Sequence, residues 1–256
     1  FQIIVPDTGI TQTVLSVDDP LGDDHGPGSY VYPSDAVFTS GCFDLANFTV
    51  AQDSNNVIFK VKFAGEITNP WNSPIGLSLQ TLDIYIHQPE LSRTGATQLL
   101  PGRNARFPAE KPWHWAIWVE GWQQGLYMGT DTAPPQKVAA DLKVVVDGPG
   151  RTVTIKVPKK SLGDNPAGWE YACTVCSQEG YPAPGVWRVR EVSATAQQWL
   201  IGGGTDGWTD PAILDLAWPA GTKPTQEEML GRYIPQEGPL ASADPSTFAL
   251  IETVKP

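Results

Sequence analysis

The sequence predicts an all-β chain, a two-sheet antiparallel β-sandwich with one short peripheral helix near residues 225–232. Two observations carry this expectation. Apolar and polar residues alternate in several segments, and clusters of turn-forming residues separate those segments. Residues 43–50, 57–63, 77–86 and 151–157 each read as a half-buried strand. Asp53-Ser-Asn-Asn56 precedes the second and Asp147-Gly-Pro-Gly150 the fourth. These residues tolerate left-handed backbone or fix φ, so 57–63 and 151–157 are each expected to close a hairpin. Such spacing suits two packed sheets. After Pro224, Thr225 is placed to cap a helix and Glu228 to complete a capping box ahead of Met229 and Leu230. The N-terminal tail 1–5 and the C-terminal tail 247–254 are apolar and read as strands. Each is expected to pair within its own sheet, the alternative being that one adds a strand to a neighbouring copy of the chain. No segment repeats another and no linker or charge run intervenes, so 1–256 reads as a single domain.

Composition narrows the function classes. With 256 residues the chain can bury a substantial core, and no apolar run approaches the roughly eighteen residues that a membrane-spanning helix needs. The 28 Asp and Glu against 17 Lys and Arg give a net charge of −11, which repels phosphate backbones and argues against a nucleic-acid partner. The chain opens on Phe1 with no initiator methionine, as a processed mature chain does. Its three cysteines are too few for a disulfide scaffold. Cys173 and Cys176 have no second CxxC to complete a zinc site, and Ser177 stands where covalent haem attachment needs histidine, leaving a local disulfide or two buried thiols.

Two stretches carry chemistry. Asp18, Asp19, Asp23 and Asp24 crowd four carboxylates into a loop that Gly22, Gly26 and Gly28 allow to fold tightly. Their repulsion is answered by a hard cation with oxygen ligands, and Ca²⁺ tolerates irregular loop geometry; Asp44 and Asp35 are further ligand candidates from the following segment. The spacing is not that of a twelve-residue EF-hand loop. The second stretch is 111–122, with four tryptophans in ten residues. As a strand it sets Trp113, Trp115, Ile117 and Val119 on one face and His114, Trp118, Glu120 and Trp122 on the other. The second face joins flat rings to hydrogen-bonding groups, as sugar recognition requires, and Trp71, Asn72 and Arg103 offer similar chemistry from loops. Asn47-Phe-Thr49 is an N-glycosylation sequon.

Asp18-Asp-Pro-Leu-Gly-Asp-Asp-His-Gly-Pro-Gly-Ser-Tyr-Val-Tyr-Pro33 resembles the module found C-terminal to glucodextranases and in the tails of archaeal amylopullulanases. The likeness continues through Gly41-Cys-Phe-Asp-Leu45, Asn69-Pro-Trp-Asn72, Pro101-Gly-Arg-Asn-Ala105, Glu120-Gly-Trp122, Val157-Pro-Lys-Lys160, Gln198-Trp199 and Pro224-Thr-Gln-Glu-Glu228. It implies a β-sandwich akin to family-nine carbohydrate-binding modules and the DOMON group, with noncatalytic work on polysaccharide or at the cell surface. The sequence departs from that pattern at His87, where the family usually carries an acidic residue. Related DOMON sandwiches hold b-type haem, so His87 or His114 with Met128 is an alternative axial pair, the less favoured reading. Catalysis has weaker support: no nucleophile elbow, HExxH or dinucleotide fingerprint is present, and nothing in the sequence ties Glu120 to Asp83 as an acid–base pair.

The expectation is therefore an extracellular, noncatalytic, calcium-binding sandwich that engages polysaccharide or a cell-envelope glycan. A self-assembling surface or filament subunit using strand exchange, a homo-oligomer through its terminal strands, is the alternative.

Overall fold

A computed structural model describes residues 11–205, 208–236 and 242–256. Its first sheet is ordered β1-β2-β3-β10-β9, from Gln12–Asp18, Leu45–Gln52, Asn56–Phe63, Thr152–Pro158 and Lys143–Asp147. The second is ordered β12-β11-β4-β6-β7-β8, from Ile213–Leu216, Glu170–Ser177, Gln80–His87, Trp115–Val119, Gln124–Met128 and Gln136–Val138. Every pairing in both sheets is antiparallel. The fold is the expected all-β two-sheet sandwich.

Both expected hairpins form. Asp53 Oδ1 accepts from the backbone N–H groups of Asn55 and Asn56, closing the turn between β2 and β3. Asp147 Oδ1 accepts from the Gly150 N–H between β9 and β10. The sequence expectation starts two strands early: β2 begins at Leu45 and β4 at Gln80, because 77–79 belongs to a loop that serves the site described below. The capping box is present, Thr225 accepting from the Glu228 N–H and Glu228 accepting from the Thr225 N–H ahead of the helix Gln226–Leu230, α2. A one-turn helix α1, Lys159–Leu162, follows β10.

The period-two pattern decides what the sheets bury. Phe48, Val50, Phe59, Val61 and Phe63 point inward from the first sheet and pack on Tyr171, Cys173, Val175, Ile84 and Ile117 of the second, with Tyr171 edge-on to both Phe48 and Phe59. Each such phenylalanine contributes about 1.5–3 kcal/mol by leaving water. The other face of the second sheet is not open to solvent. Residues 88–114, 178–205 and 208–212 roof it, so Asp83, Tyr85 and Trp118 are buried as well. The first sheet's outer face is polar and carries Lys60, Lys62 and Thr154.

The C-terminal tail pairs within the chain: β13 (Ala249–Leu250) runs parallel to β5 (Ala105–Arg106), and Val254 exchanges both backbone hydrogen bonds with Tyr171. The expected N-terminal strand at 1–5 lies outside the described residues. Cys173 and Cys176 are free and buried on one strand, three positions apart. They therefore face opposite sides of the sheet and are not a disulfide, and burial pushes both thiols up, away from reactivity. Cys42 is likewise buried and free.

Candidate functional site: an acidic nest and an aromatic cleft

The acidic loop gathers most of its predicted carboxylates and adds one. Asp19, Asp23 and Asp215 place carboxylate oxygens within 4.8 Å of one another, with Asp24 and Asp44 alongside. Asp18 is not among them. Consecutive strand residues face opposite ways, and Asp18 is exposed on the outer face of β1, where it accepts from Asn47 Nδ2 at 2.9 Å. That contact also engages the amide nitrogen of the sequon, which donates to Ser16 Oγ as well. Asp35 lies apart too, in a turn with Val37 and Gln198.

Backbone donors hold the nest open. Trp218 N–H donates to Asp19 Oδ1 at 2.6 Å, Gly22 N–H to Asp44 Oδ2 at 2.8 Å, and Leu45 N–H to Asp215 Oδ2 at 2.6 Å. From α2, Gln226 Nε2 donates to the Asp23 carbonyl while its Oε1 accepts from the Leu216 N–H, tying loop to strand. Gly26, at φ +56, lets the chain pass where any Cβ would run into the Tyr30 ring. Even so, four buried oxygens have no donor: Asp19 Oδ2, Asp23 Oδ1, Asp24 Oδ2 and Asp44 Oδ1. Burial, reinforced by neighbouring carboxylates, pushes Asp23 and Asp24 up to about 6 and raises Asp19 and Asp215, and burial alone raises Asp44. Five crowded carboxylates with unpartnered oxygens form a donor set that fits a hard, oxygen-loving cation.

At the end of the second sheet where β6 turns into β7, loops enclose a cleft of about 840 Å³ lined by Trp71, Trp122, Trp199, Tyr181, Gln178 and Arg188 among others. Trp71, Trp122 and Trp199 are 37–40% exposed, and Trp71 and Trp199 stand 6.1 Å apart at 54°. Three half-exposed indoles on one concavity cost hydration that a flat apolar ligand would recover.

Each ring has a local reason for its place. Asn69 Oδ1 accepts from Ser73 N–H at 2.9 Å and from the Ser78 hydroxyl, which in turn accepts from the Trp71 N–H, so 69–78 is a closed loop presenting Trp71. Asn72 takes the left-handed tip of that loop, exposed but not lining the cleft. Trp122 is set by Glu120, whose Oε2 accepts from its backbone N–H at 3.1 Å, and by Gly121, where a Cβ would strike the Leu77 carbonyl. Trp199 is pinned by Arg190, which donates to the Trp199 carbonyl at 2.6 Å and to Glu179 Oε2 at 2.8 Å.

The structure separates the remaining sequence candidates from this cleft. Trp118 and Arg103 share the roofed face of the second sheet. Arg103 is wholly buried, bidentate to Asp83 at 2.6 and 3.0 Å, with Trp118 packed over it against Trp187 and Tyr127. Neither lines the cleft. Glu120 is buried beneath the cleft and acts on it through Trp122 and Arg188. The sequence reading did not find Trp199, Tyr181, Arg188 or Asp215; Asp215 had one signal, a lone carboxylate inside the otherwise apolar Ile213-Leu-Asp-Leu216.

His87 and His114 stack with ring centroids 5.3 Å apart. His87 Nδ1 bonds the Pro112 carbonyl and His114 Nδ1 accepts from the Gln88 N–H, so each ring has a nitrogen committed to the backbone. Asp83 is spent on Arg103, which leaves no pairing with Glu120 across an open cleft. Among the described residues no helix is long and apolar enough to cross a membrane.

No curated protein matches the chain. A family model does, from residue 14 to 245, described as the C-terminal, SLH-like binding module of glucodextranase. That match spans the acidic nest, every wall of the aromatic cleft and both sheets, and the chain belongs to this family of binding modules.

Proposed function

We propose that the chain is an extracellular, noncatalytic module that binds carbohydrate in the cleft of Trp71, Trp122 and Trp199 and holds structural Ca²⁺ in the nest of Asp19, Asp23, Asp24, Asp44 and Asp215. The single observation that supports the first part is the convergence of three partly exposed indoles on one cleft, since sugar C–H faces stack on such rings while nearby polar groups take the hydroxyls. Membership of a binding-module family agrees with it. The four unpartnered carboxylate oxygens support the second part. Calcium there would tie the loop after β1 to β12 and to the start of β2, three segments distant in sequence. Titration of the full chain with soluble glucans and cell-envelope polysaccharide, beside Trp71→Ala and Trp122→Ala, tests the carbohydrate reading. Saturable binding lost in both folded variants is the expected result, and unchanged binding in both dismisses it.

A further inference from the structure

We propose that Arg188 is the polar anchor of the aromatic cleft, that buried Glu120 positions and neutralises it, and that the pair selects neutral pyranoses with adjacent hydroxyls over acidic sugars. The proposal rests on the carbohydrate reading of the cleft and specifies its ligand.

Arg188 sits at φ +49, a left-handed backbone that residues with a Cβ adopt only at a cost, and such strain clusters at functional sites. Its backbone is tied in that state: the carbonyl accepts from Thr81 Oγ1 at 2.9 Å and from the Glu179 N–H at 3.2 Å. The side chain then lines the cleft. Nothing among the described residues accepts a hydrogen bond from its guanidinium. Its ion partner, Glu120 Oε1, lies 3.8 Å from Nε, beyond hydrogen-bond reach. The neighbouring Arg190 is the opposite case, with its nitrogens spent on Ser177, Glu179, Gln178 and Trp199. Arg188 is therefore the open donor fork of the site.

Glu120 completes the arrangement. It is fully buried, one oxygen takes the Trp122 N–H, and the other faces Arg188 with no donor of its own. A guanidinium fork matches two neighbouring oxygens, either those of a carboxylate or those of a vicinal diol. The charges decide between them. Arg188 and Arg190 are balanced by Glu120 and Glu179, so a sugar carboxylate adds an uncompensated negative charge next to two others, whereas hydroxyl oxygens accept from the fork and leave the balance intact.

Calorimetric titration of the full chain with a neutral gluco-oligosaccharide and a galacturonate oligomer of equal length, each at low and high salt, tests this. The wild-type chain should bind the neutral probe with little salt dependence and the uronate at least about tenfold more weakly, a difference of about 1.4 kcal/mol. Glu120→Gln keeps the shape and removes the charge, so the preference should narrow or reverse and uronate binding should become salt-dependent. Arg188→Gly relieves the left-handed backbone. Loss of the counter-charge to buried Glu120 offsets that relief, so affinity is compared per folded molecule, and the variant should bind the neutral probe at least about tenfold more weakly. If Glu120→Gln does not fold, the glycine variant decides alone. Wild-type preference for the uronate, or retained affinity in Arg188→Gly, overturns the proposal. Trp71→Ala separates the two readings: if it loses binding while Arg188→Gly keeps it, only this proposal fails. If neither probe binds the wild-type chain, both readings fall.

Discussion

Asp19, one residue past β1, and Asp215, on β12, bring carboxylate oxygens within 4.8 Å of each other and of Asp23, in a nest where four carboxylate oxygens lack any donor. An ion bound only by the folded state stabilises it by mass action, about 2.7 kcal/mol when the free ion is a hundredfold above its Kd. Chelation should therefore lower the melting temperature and added Ca²⁺ restore it. An Asp19→Asn, Asp215→Asn variant should have lost that response, whereas Asp18→Asn, on the outer face of β1, should retain it in full. Calorimetric melts with chelator and with calcium make the comparison, and identical curves for the wild-type chain sink the calcium assignment.

The metal-free chain should become less stable as pH rises. Burial holds Asp23 and Asp24 at about 6 and raises Asp19 and Asp215 above the usual range, so the folded state binds more protons than an unfolded chain whose aspartates titrate near ~3.9. Stability then falls between about pH 4 and the raised values, because the derivative follows the protons held in the unfolded minus the folded state. Groups held low act in the opposite sense, Asp53 and Glu170 in the more acid range and His114, pushed down to about 4 by burial, between about pH 4 and its ordinary 6.5. This one imidazole is outnumbered by the raised aspartates, which alone act above that. Calcium displaces those protons, so its affinity should tighten with pH across the same window. Melting temperatures in chelator that climb steadily from about pH 5 to about pH 8 would contradict this account.

Breaking the Asp83–Arg103 pair should unfold the roof of the second sheet. Both groups are fully buried, and removing one partner strands the other's charge, at a cost of about 3–5 kcal/mol. Asp83→Asn also weakens the Tyr85 hydroxyl's contact, on which the Leu100 N–H depends. Denaturant midpoints of Asp83→Asn and Arg103→Met measure the loss. A variant of either residue with wild-type stability and reduced sugar affinity would return Arg103 to the binding site.

Alternation made the two hairpins and the inward faces of β3 and β10 legible, and the capping box made α2 legible, because each is a local pattern of residue types. The same alternation sorted Trp115, Ile117 and Val119 from Trp118 correctly, but it misplaced Trp113, which precedes β6 and packs against Tyr85 on the roofed face, and it said nothing of what lies over Trp118. That depends on Arg103 and Trp187, which come from loops without period. Trp199 and Arg188 were illegible for a related reason. Their positions are set by Arg190 and by long-range bonds such as Thr81 to the Arg188 carbonyl, contacts that sequence spacing does not encode. The acidic run was visible as four neighbours, yet one of them, Asp18, faces away and the deepest member, Asp215, comes from a strand far along the chain.

Trp122 and Trp118 lie four residues apart and should behave oppositely on truncation. Trp122 is 39% exposed in the cleft, so Trp122→Ala, like Trp199→Ala, should leave the fold standing and weaken glycan binding by about 1–3 kcal/mol, as removal of a desolvated aromatic anchor does. Trp118 is buried between Tyr127, Trp187 and the Arg103 guanidinium, so Trp118→Ala should cost about 3–5 kcal/mol of stability through the cavity it leaves. Affinity per folded molecule should be preserved in that variant, because the ring does not line the cleft. Stacking dominates the contact, so raising salt should change wild-type affinity little. Paired melting and titration curves for the three variants discriminate: a stable Trp118→Ala that no longer binds sugar would move the site to the roofed face of the second sheet.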